Sequence, residues 1–151
     1  MFRGLSAINL DAKGRLAIPT KYREMLTGLC AGRLVATIDT EEHCLLIYPV
    51  DEWEVIQAKI EALPSFNPVA RRIQRLLIGH ATDIDMDANG RILLPQPLRE
   101  YAQLEKESIL IGQGKKLELW SKSLWEGRRD EYIAEVNQPE QLPDELQSLS
   151  L

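Results

Sequence analysis

The chain has 151 residues, 44% of them hydrophobic, and a formal net charge of −5; this is enough apolar material for one substantial core or two small ones packed together. No window approaches the roughly 20 consecutive apolar residues of a membrane span, and the opening Met1-Phe2-Arg3-Gly4 lacks the apolar stretch of a signal peptide, so no membrane partner and a cytoplasmic location are expected. The negative total argues at first against nucleic acid, because phosphate binding is driven by Lys and Arg releasing condensed counterions.

The distribution of charge argues the other way. Residues 1–33 carry Arg3, Lys13, Arg15, Lys21, Arg23 and Arg33 against only Asp11 and Glu24, an excess of four positive charges. Such asymmetry lets a chain present one cationic face and keep the rest acidic and soluble. Cys30 and Cys44 make no disulfide framework, and together with His43 and His80 they lack paired metal-ligand spacing. Packed thiols and no metal are expected.

The first unit in chain order, Ile8-Asn9-Leu10-Asp11-Ala12-Lys13-Gly14-Arg15-Leu16-Ala17-Ile18-Pro19, recurs at an offset of 76, from 8 to 84, as Ile84-Asp85-Met86-Asp87-Ala88-Asn89-Gly90-Arg91-Ile92-Leu93-Leu94-Pro95. The match continues from Arg23-Glu24 to Arg99-Glu100. In each copy two apolar stretches flank Asp-Ala-x-Gly-Arg, and the second ends at proline, which predicts a β-hairpin. With Ala12, Lys13 and Gly14 as a three-residue loop, Gly14 takes the left-handed position and Asp11 faces Arg15 across the strands. Gly90, between Asp87 and Arg91, has the same part in the second copy. Short helices are expected over 22–26 and 98–104, and strands over 34–38, 44–48, 108–111 and 117–120. Leu45-Leu46-Ile47-Tyr48 leading to Trp53 answers Leu117-Glu118-Leu119-Trp120 leading to Trp125 at an offset of 72, from 45 to 117. The first copy therefore holds four extra residues in its middle.

Between the copies a helical hairpin is predicted. Asp51 is placed to cap a helix carrying Trp53, Ile56, Ile60 and Leu63 that ends at Pro64. Asn67-Pro68 opens a second with Val69, Ile73, Leu76 and Leu77 inward. Ser123 with Glu126 resembles a capping box before Trp125, Tyr132, Ile133 and Val136. The resulting division is a first repeat over 5–52, a helical hairpin over 53–80, a second repeat over 81–124, a C-terminal helix over 125–136 and a mobile acidic tail over 137–151.

Function is expected at the first loop. Over 5–23, Lys13, Arg15, Lys21 and Arg23 outnumber Asp11, whereas over 81–99 the acids Asp83, Asp85 and Asp87 outnumber Arg91 and Arg99. A two-stranded ribbon fits the major groove of DNA, where an arginine pairs with guanine O6 and N7 while lysines hold the backbone. Arg15, Lys13, Arg3, Lys21 and Arg23 are therefore the expected DNA contacts, and Asp11, Gly14, Asp87, Gly90 and Arg91 the builders of the turns. Arg71, Arg72 and Arg75 on the linker read as partners of Glu52, Glu54 or Glu61 or of another subunit, rather than of DNA. The three tryptophans read as core. No phosphate-cradling Gly-Lys loop, nucleophile elbow or His-Glu-x-x-His helix is present, so no enzyme, cofactor or small-molecule substrate is expected.

These residues resemble the MraZ family from Met1 to about Val136: Met1-Phe2-Arg3-Gly4, the Asp-x-x-x-Arg pairs Asp11/Arg15 and Asp87/Arg91, Cys44-Leu45-Leu46-Ile47-Tyr48-Pro49, and Asn67-Pro68-Val69-Ala70-Arg71-Arg72 running through Leu77-Ile78-Gly79-His80-Ala81. The resemblance implies an α+β, β-rich fold of two tandem SpoVT-AbrB-like half-units forming a swapped-hairpin, double-split β-barrel with linker and C-terminal helices. It also implies ring-like homo-oligomers on double-stranded DNA, associated with the nucleoid. Their target would be direct repeats ahead of the division and cell-wall gene cluster containing the family's own gene, with the first-copy arginine, here Arg15, at the DNA. A ring-forming scaffold for a protein partner and an AbrB-type antitoxin are the alternatives.

Overall fold

A computed structural model describes residues 1–136, 143–147 and 149. Strand β1 (Phe2–Asn9), strand β2 (Arg15–Ala17), helix α1 (Thr20–Cys30) and strands β3 (Leu34–Ile38) and β4 (Leu45–Pro49) form the first copy. Helices α2 (Val50–Glu61) and α3 (Pro68–Ile73), the latter continuing into a π-helical turn over Gln74–Ile78, link it to the second. That copy repeats the order as β5 (Thr82–Asp83), β6 (Arg91–Leu93), α4 (Gln96–Tyr101), β7 (Glu107–Gly114) and β8 (Lys116–Ser121), followed by α5 (Lys122–Val136) and the short α6 (Asp144–Gln147). Most of the expected acidic tail over 137–151 lies outside the described residues.

The fold is α+β, and every strand pairing is antiparallel. Six strands run in the order β1-β7-β8-β4-β3-β5, and β2 and β6 form a separate two-stranded ribbon. The order is a palindrome about the β8–β4 pair. It corrects the expected hairpins: β1 does not pair with β2, nor β5 with β6. Instead the first strand of each copy joins the third strand of the other, and the two second strands pair together. The ladders close no barrel, since β1 and β5 are open edges. Residues 78–81, equivalent to the start of β1, are taken up by the helical linker, which leaves β5 two residues long.

Alternation along the strands divides the apolar side chains between two faces. On one, Leu34, Ala36, Ile38, Leu45, Ile47, Leu110, Leu117 and Leu119 build the main core with Leu16 and Ile92 of the ribbon, Tyr22, Leu26 and Cys30 of α1, and Leu98 of α4. The four-residue spacing of the α1 residues puts them on one helix face. On the other, α2 and the π turn cover Val35, Leu46 and Tyr48 through Trp53, while α5 covers Ile111, Cys44 and Trp120 through Leu124 and Trp125. The tryptophans are packed as expected. The four extra residues are one turn of α1: both helices end at a left-handed residue, Ala31 (φ 54°) and Gln103 (φ 53°), and these two again stand 72 apart, from 31 to 103.

Local expectations fail where a cap or period was over-read. Pro49, not Asp51, precedes α2, and no side chain caps it. Asn67 does cap α3, its Oδ1 accepting from the Val69 and Ala70 N–H groups. Ile73 and Leu77 pack inward as expected, whereas Val69 is exposed, and within the π turn Ile78 packs while Leu76 is exposed. Helix α5 starts before Ser123, whose hydroxyl pairs with that of Ser121 rather than forming a capping box, and Ile133 and Val136 lie exposed. No described helix is long and apolar enough to cross a membrane.

Candidate nucleic-acid interface

The two Asp-Ala-x-Gly-Arg loops have nearly identical backbones. In the first, the Asp11 N–H donates to the Arg15 carbonyl (2.9 Å), Gly14 N–H to the Asp11 carbonyl (3.1 Å), and the Lys13 and Arg15 N–H groups both donate to Asp11 Oδ1 (2.9 Å each). In the second, Asp87 accepts from Asn89 (2.8 Å) and Arg91 (2.9 Å) in the same way. Gly14 and Gly90, at φ 89° and 76°, supply the left-handed residue each loop requires. The aspartate is thus the local template of the turn. The Arg15 N–H chiefly holds the Asp11 carboxyl below the usual carboxylate range, and the Arg91 N–H does so for Asp87.

The side chains differ. Arg15 Nε also pairs with Asp11 Oδ2 at 2.9 Å, both groups about 40% exposed, a pair weak enough to be exchanged for another acceptor. Arg91 has no such bond to Asp87 among the described residues. Lys13 is exposed, and it shares a shallow cleft with Asp83, Asp85 and Arg99 of the second copy.

The ribbon brings the loops together. Its register sets Leu16 opposite Ile92, both buried, so Arg15, Ala17, Arg91 and Leu93 project from the other face. The two motif arginines, 76 residues apart, therefore lie on one exposed ribbon face, and Arg15 contributes to lowering the Asp87 carboxyl. Sequence reasoning had assigned the arginines to two separate hairpins.

The other expected DNA residues are placed differently. Arg3 is exposed on β1 and its carbonyl accepts from the Tyr22 hydroxyl, while Lys21 Nζ lies 4.9 Å from the Tyr22 ring centroid. Phe2 packs edge-on against that ring. Arg3 and Lys21 thus form a second cationic spot at the start of β1. Arg23 is turned inward, its Nε donating to the Ile18 carbonyl at 2.7 Å.

Elsewhere, Arg71, Arg72 and Arg75 make no ion pair with Glu52, Glu54 or Glu61 among the described residues. Glu42 carries a clamp that sequence reasoning missed: burial would raise its carboxyl, but hydrogen bonds from Tyr132 and Arg128 (2.7 Å each) outweigh that and lower it. Asp39, Cys44 and Glu118 each bring one donor atom within 4.8 Å of the others. Burial and the flanking carboxylates push the Cys44 thiol far up, leaving it a protonated donor to Asp39 rather than a thiolate ligand.

An internally duplicated α+β chain with exchanged strands, presenting a two-arginine ribbon, defines the class. The family model described as "MraZ protein, putative antitoxin-like" matches residues 1–76 and again 77–144. The chain belongs to the MraZ family. It is 58% identical to a protein of Coxiella burnetii and 56% identical to one of Legionella pneumophila, each over 152 aligned residues, and 54% identical to one of Alkalilimnicola ehrlichii over 151; each match covers 100% of both chains, and each of these proteins is named "Transcriptional regulator MraZ".

Proposed function

We propose that this chain is a sequence-specific, DNA-binding transcriptional regulator whose ribbon face reads the major groove, with Arg15 as the recognition residue. The carrying observation is the exposed ribbon on which, among the described residues, the Arg15 side chain pairs with a solvent-facing carboxylate alone, inside a loop already rigid through Asp11. The names of the full-length relatives support it. Lys13 supplies a backbone phosphate contact, and Arg3 and Lys21 extend the cationic surface. Because one small ribbon offers few contacts, copies assembled in a ring engage same-orientation boxes about one helical turn apart, and linkage supplies the avidity. The target is the chain's own upstream region, in the cluster of division and cell-wall genes, and the outcome is repression in the cytoplasm at the nucleoid.

Titrating operators that carry one, two and three boxes tests this reading, with about half a helical turn inserted between two of them in a further duplex. Affinity rises steeply with box number and falls when the phase is broken. Affinity indifferent to both changes removes the ring-on-repeats mechanism. A folded Arg15→Ala protein that keeps full affinity removes Arg15 as the reader.

A further inference from the structure

Gly14 and Gly90 are buried, although the loop residues before them are exposed. Each is covered by an arginine of the opposite copy. A Cβ built on Gly14 would lie 2.8 Å from Arg99 Nε and 2.9 Å from the Leu94 carbonyl oxygen, and one built on Gly90 would lie 2.3 Å from Arg23 Nε. The hydrogen bonds run the same way. Arg99 Nε donates to the Leu94 carbonyl (3.0 Å), and the Leu94 N–H donates to the Gly14 carbonyl (2.8 Å). In mirror fashion, Arg23 donates to the Ile18 carbonyl (2.7 Å), and the Ile18 N–H donates to the Gly90 carbonyl (2.8 Å).

From this cross-bracing we infer that Arg99, in the acid-rich second copy, is a positioning residue for the DNA-reading 11–15 loop, whereas Arg23, in the base-rich first copy, positions the 87–91 loop. The local bonds from Asp11 set the shape of the first loop but do not tie it to the rest of the molecule. Beside the ribbon pairing that begins at Arg15, a tie passes through Gly14, whose missing side chain lets the Arg99 guanidinium lie across its Cα while the Leu94 peptide anchors its carbonyl. A recognition arginine works only if its loop is held to a fraction of an ångström. Charge distribution along the sequence would rank Arg23 above Arg99 for DNA affinity. The geometry reverses that order.

The inference rests on the DNA-binding reading for its functional half and is independent of it for its structural half, so two measurements separate them. Amide hydrogen exchange on the free full-length protein reports the bracing. Arg99→Ala speeds exchange at Lys13, Gly14 and Arg15 and spares Asn89, Gly90 and Arg91; Arg23→Ala does the reverse. Arg99→Lys, which keeps the stem and a donor, restores much of the protection and serves also if Arg99→Ala folds poorly. Uniform acceleration through the chain, or the same loop loosened by both variants, overturns the bracing.

Fluorescence anisotropy, with the duplex from immediately upstream of the chain's own coding sequence and a shuffled duplex of equal length, reports the functional half. Arg99→Ala weakens binding to the upstream duplex about tenfold with an unchanged salt slope, and Arg23→Ala weakens it less. In an Arg15→Ala background, Arg99→Ala adds less than about twofold, because the side chain it positions is gone. A salt slope flattened by about one makes Arg99 a direct phosphate contact, and a full additional loss in that background makes it independent of Arg15; either overturns the positioning role. A wild-type protein that binds both duplexes equally defeats the DNA reading and the positioning role with it, while the exchange data still decide the bracing.

Discussion

The 11–15 and 87–91 loops differ at a single position, Lys13 against Asn89, yet stand in opposite electrostatic surroundings because Asp83 and Asp85 replace Ala7 and Asn9. Their shared Asp and Gly fix the backbone, and the neighbouring residues decide what it presents. Duplication thus yields one scaffold used twice, once with its base retained and once with acids on its flank. The ribbon then places both outcomes side by side, so the acids of the second copy bound the cationic surface of the first.

The largest effects test the sameness of the two halves. Leu16 and Ile92 face each other in the ribbon and are 2% and 1% exposed. Leu16→Ala and Ile92→Ala each destabilise the fold by about 2–5 kcal/mol in urea unfolding. Costs differing by more than about 2 kcal/mol would show that the halves do not share one core.

Next in size comes the contrast in DNA binding. Arg15→Ala costs about 1–3 kcal/mol of operator affinity, whereas Arg91→Ala costs under about 0.5 kcal/mol because its copy carries Asp83, Asp85 and Asp87 along the same stretch of sequence. Equal losses in intact assemblies would make both arginines readers, which their common face makes a sharp test. Asn89→Lys restores the first-copy residue in the second loop and steepens the salt slope by about one if that loop lies within reach of phosphate. An unchanged slope places it outside.

The smallest effect concerns pH and treats the loops alike. Both Asp11 and Asp87 have carboxyls lowered on folding. Each therefore contributes stability that is present above the ordinary aspartate range and lost as pH falls through the folded value. Thermal unfolding shows midpoints dropping under acid conditions, with a shallower drop in Asp11→Asn and in Asp87→Asn. A single responding variant would show that only one aspartate templates its turn.

The repeat, the strands over 34–38 and 117–120, the Asn67 cap and the turn chemistry of both loops were legible because each is a local pattern with a local cause. The exchange of strands was implied by the family resemblance, with its swapped hairpins, and not by any local pattern. Ile8 through Pro19 satisfies hairpin patterning whether β2 pairs with β1 or with β6, since the alternation that buries Leu16 is the same in both. Arg99 escaped attention for a related reason: charge counting saw it among acids, whereas its role comes from a bare glycine in the other copy. The signal was present in the Arg23-Glu24 and Arg99-Glu100 correspondence, which marks an arginine kept at a fixed distance after each proline. Arg71, Arg72 and Arg75 make no ion pair with Glu52, Glu54 or Glu61 among the described residues, which leaves another subunit as their expected partner.

The pairing of β1 with β7 joins residues about 100 apart in the chain, as Phe2 with Gly114 and Asn9 with Glu107. During synthesis the first strand leaves the ribosome long before its partner exists, and the ribbon likewise waits for β6. Folding is thereby postponed until β7 is available, a high-contact-order route that is slow and exposes unpaired edges on the way. Ribosome-stalled chains ending before β7 would stay protease-sensitive along β1, and the protein would pass from nascent to native in one late step.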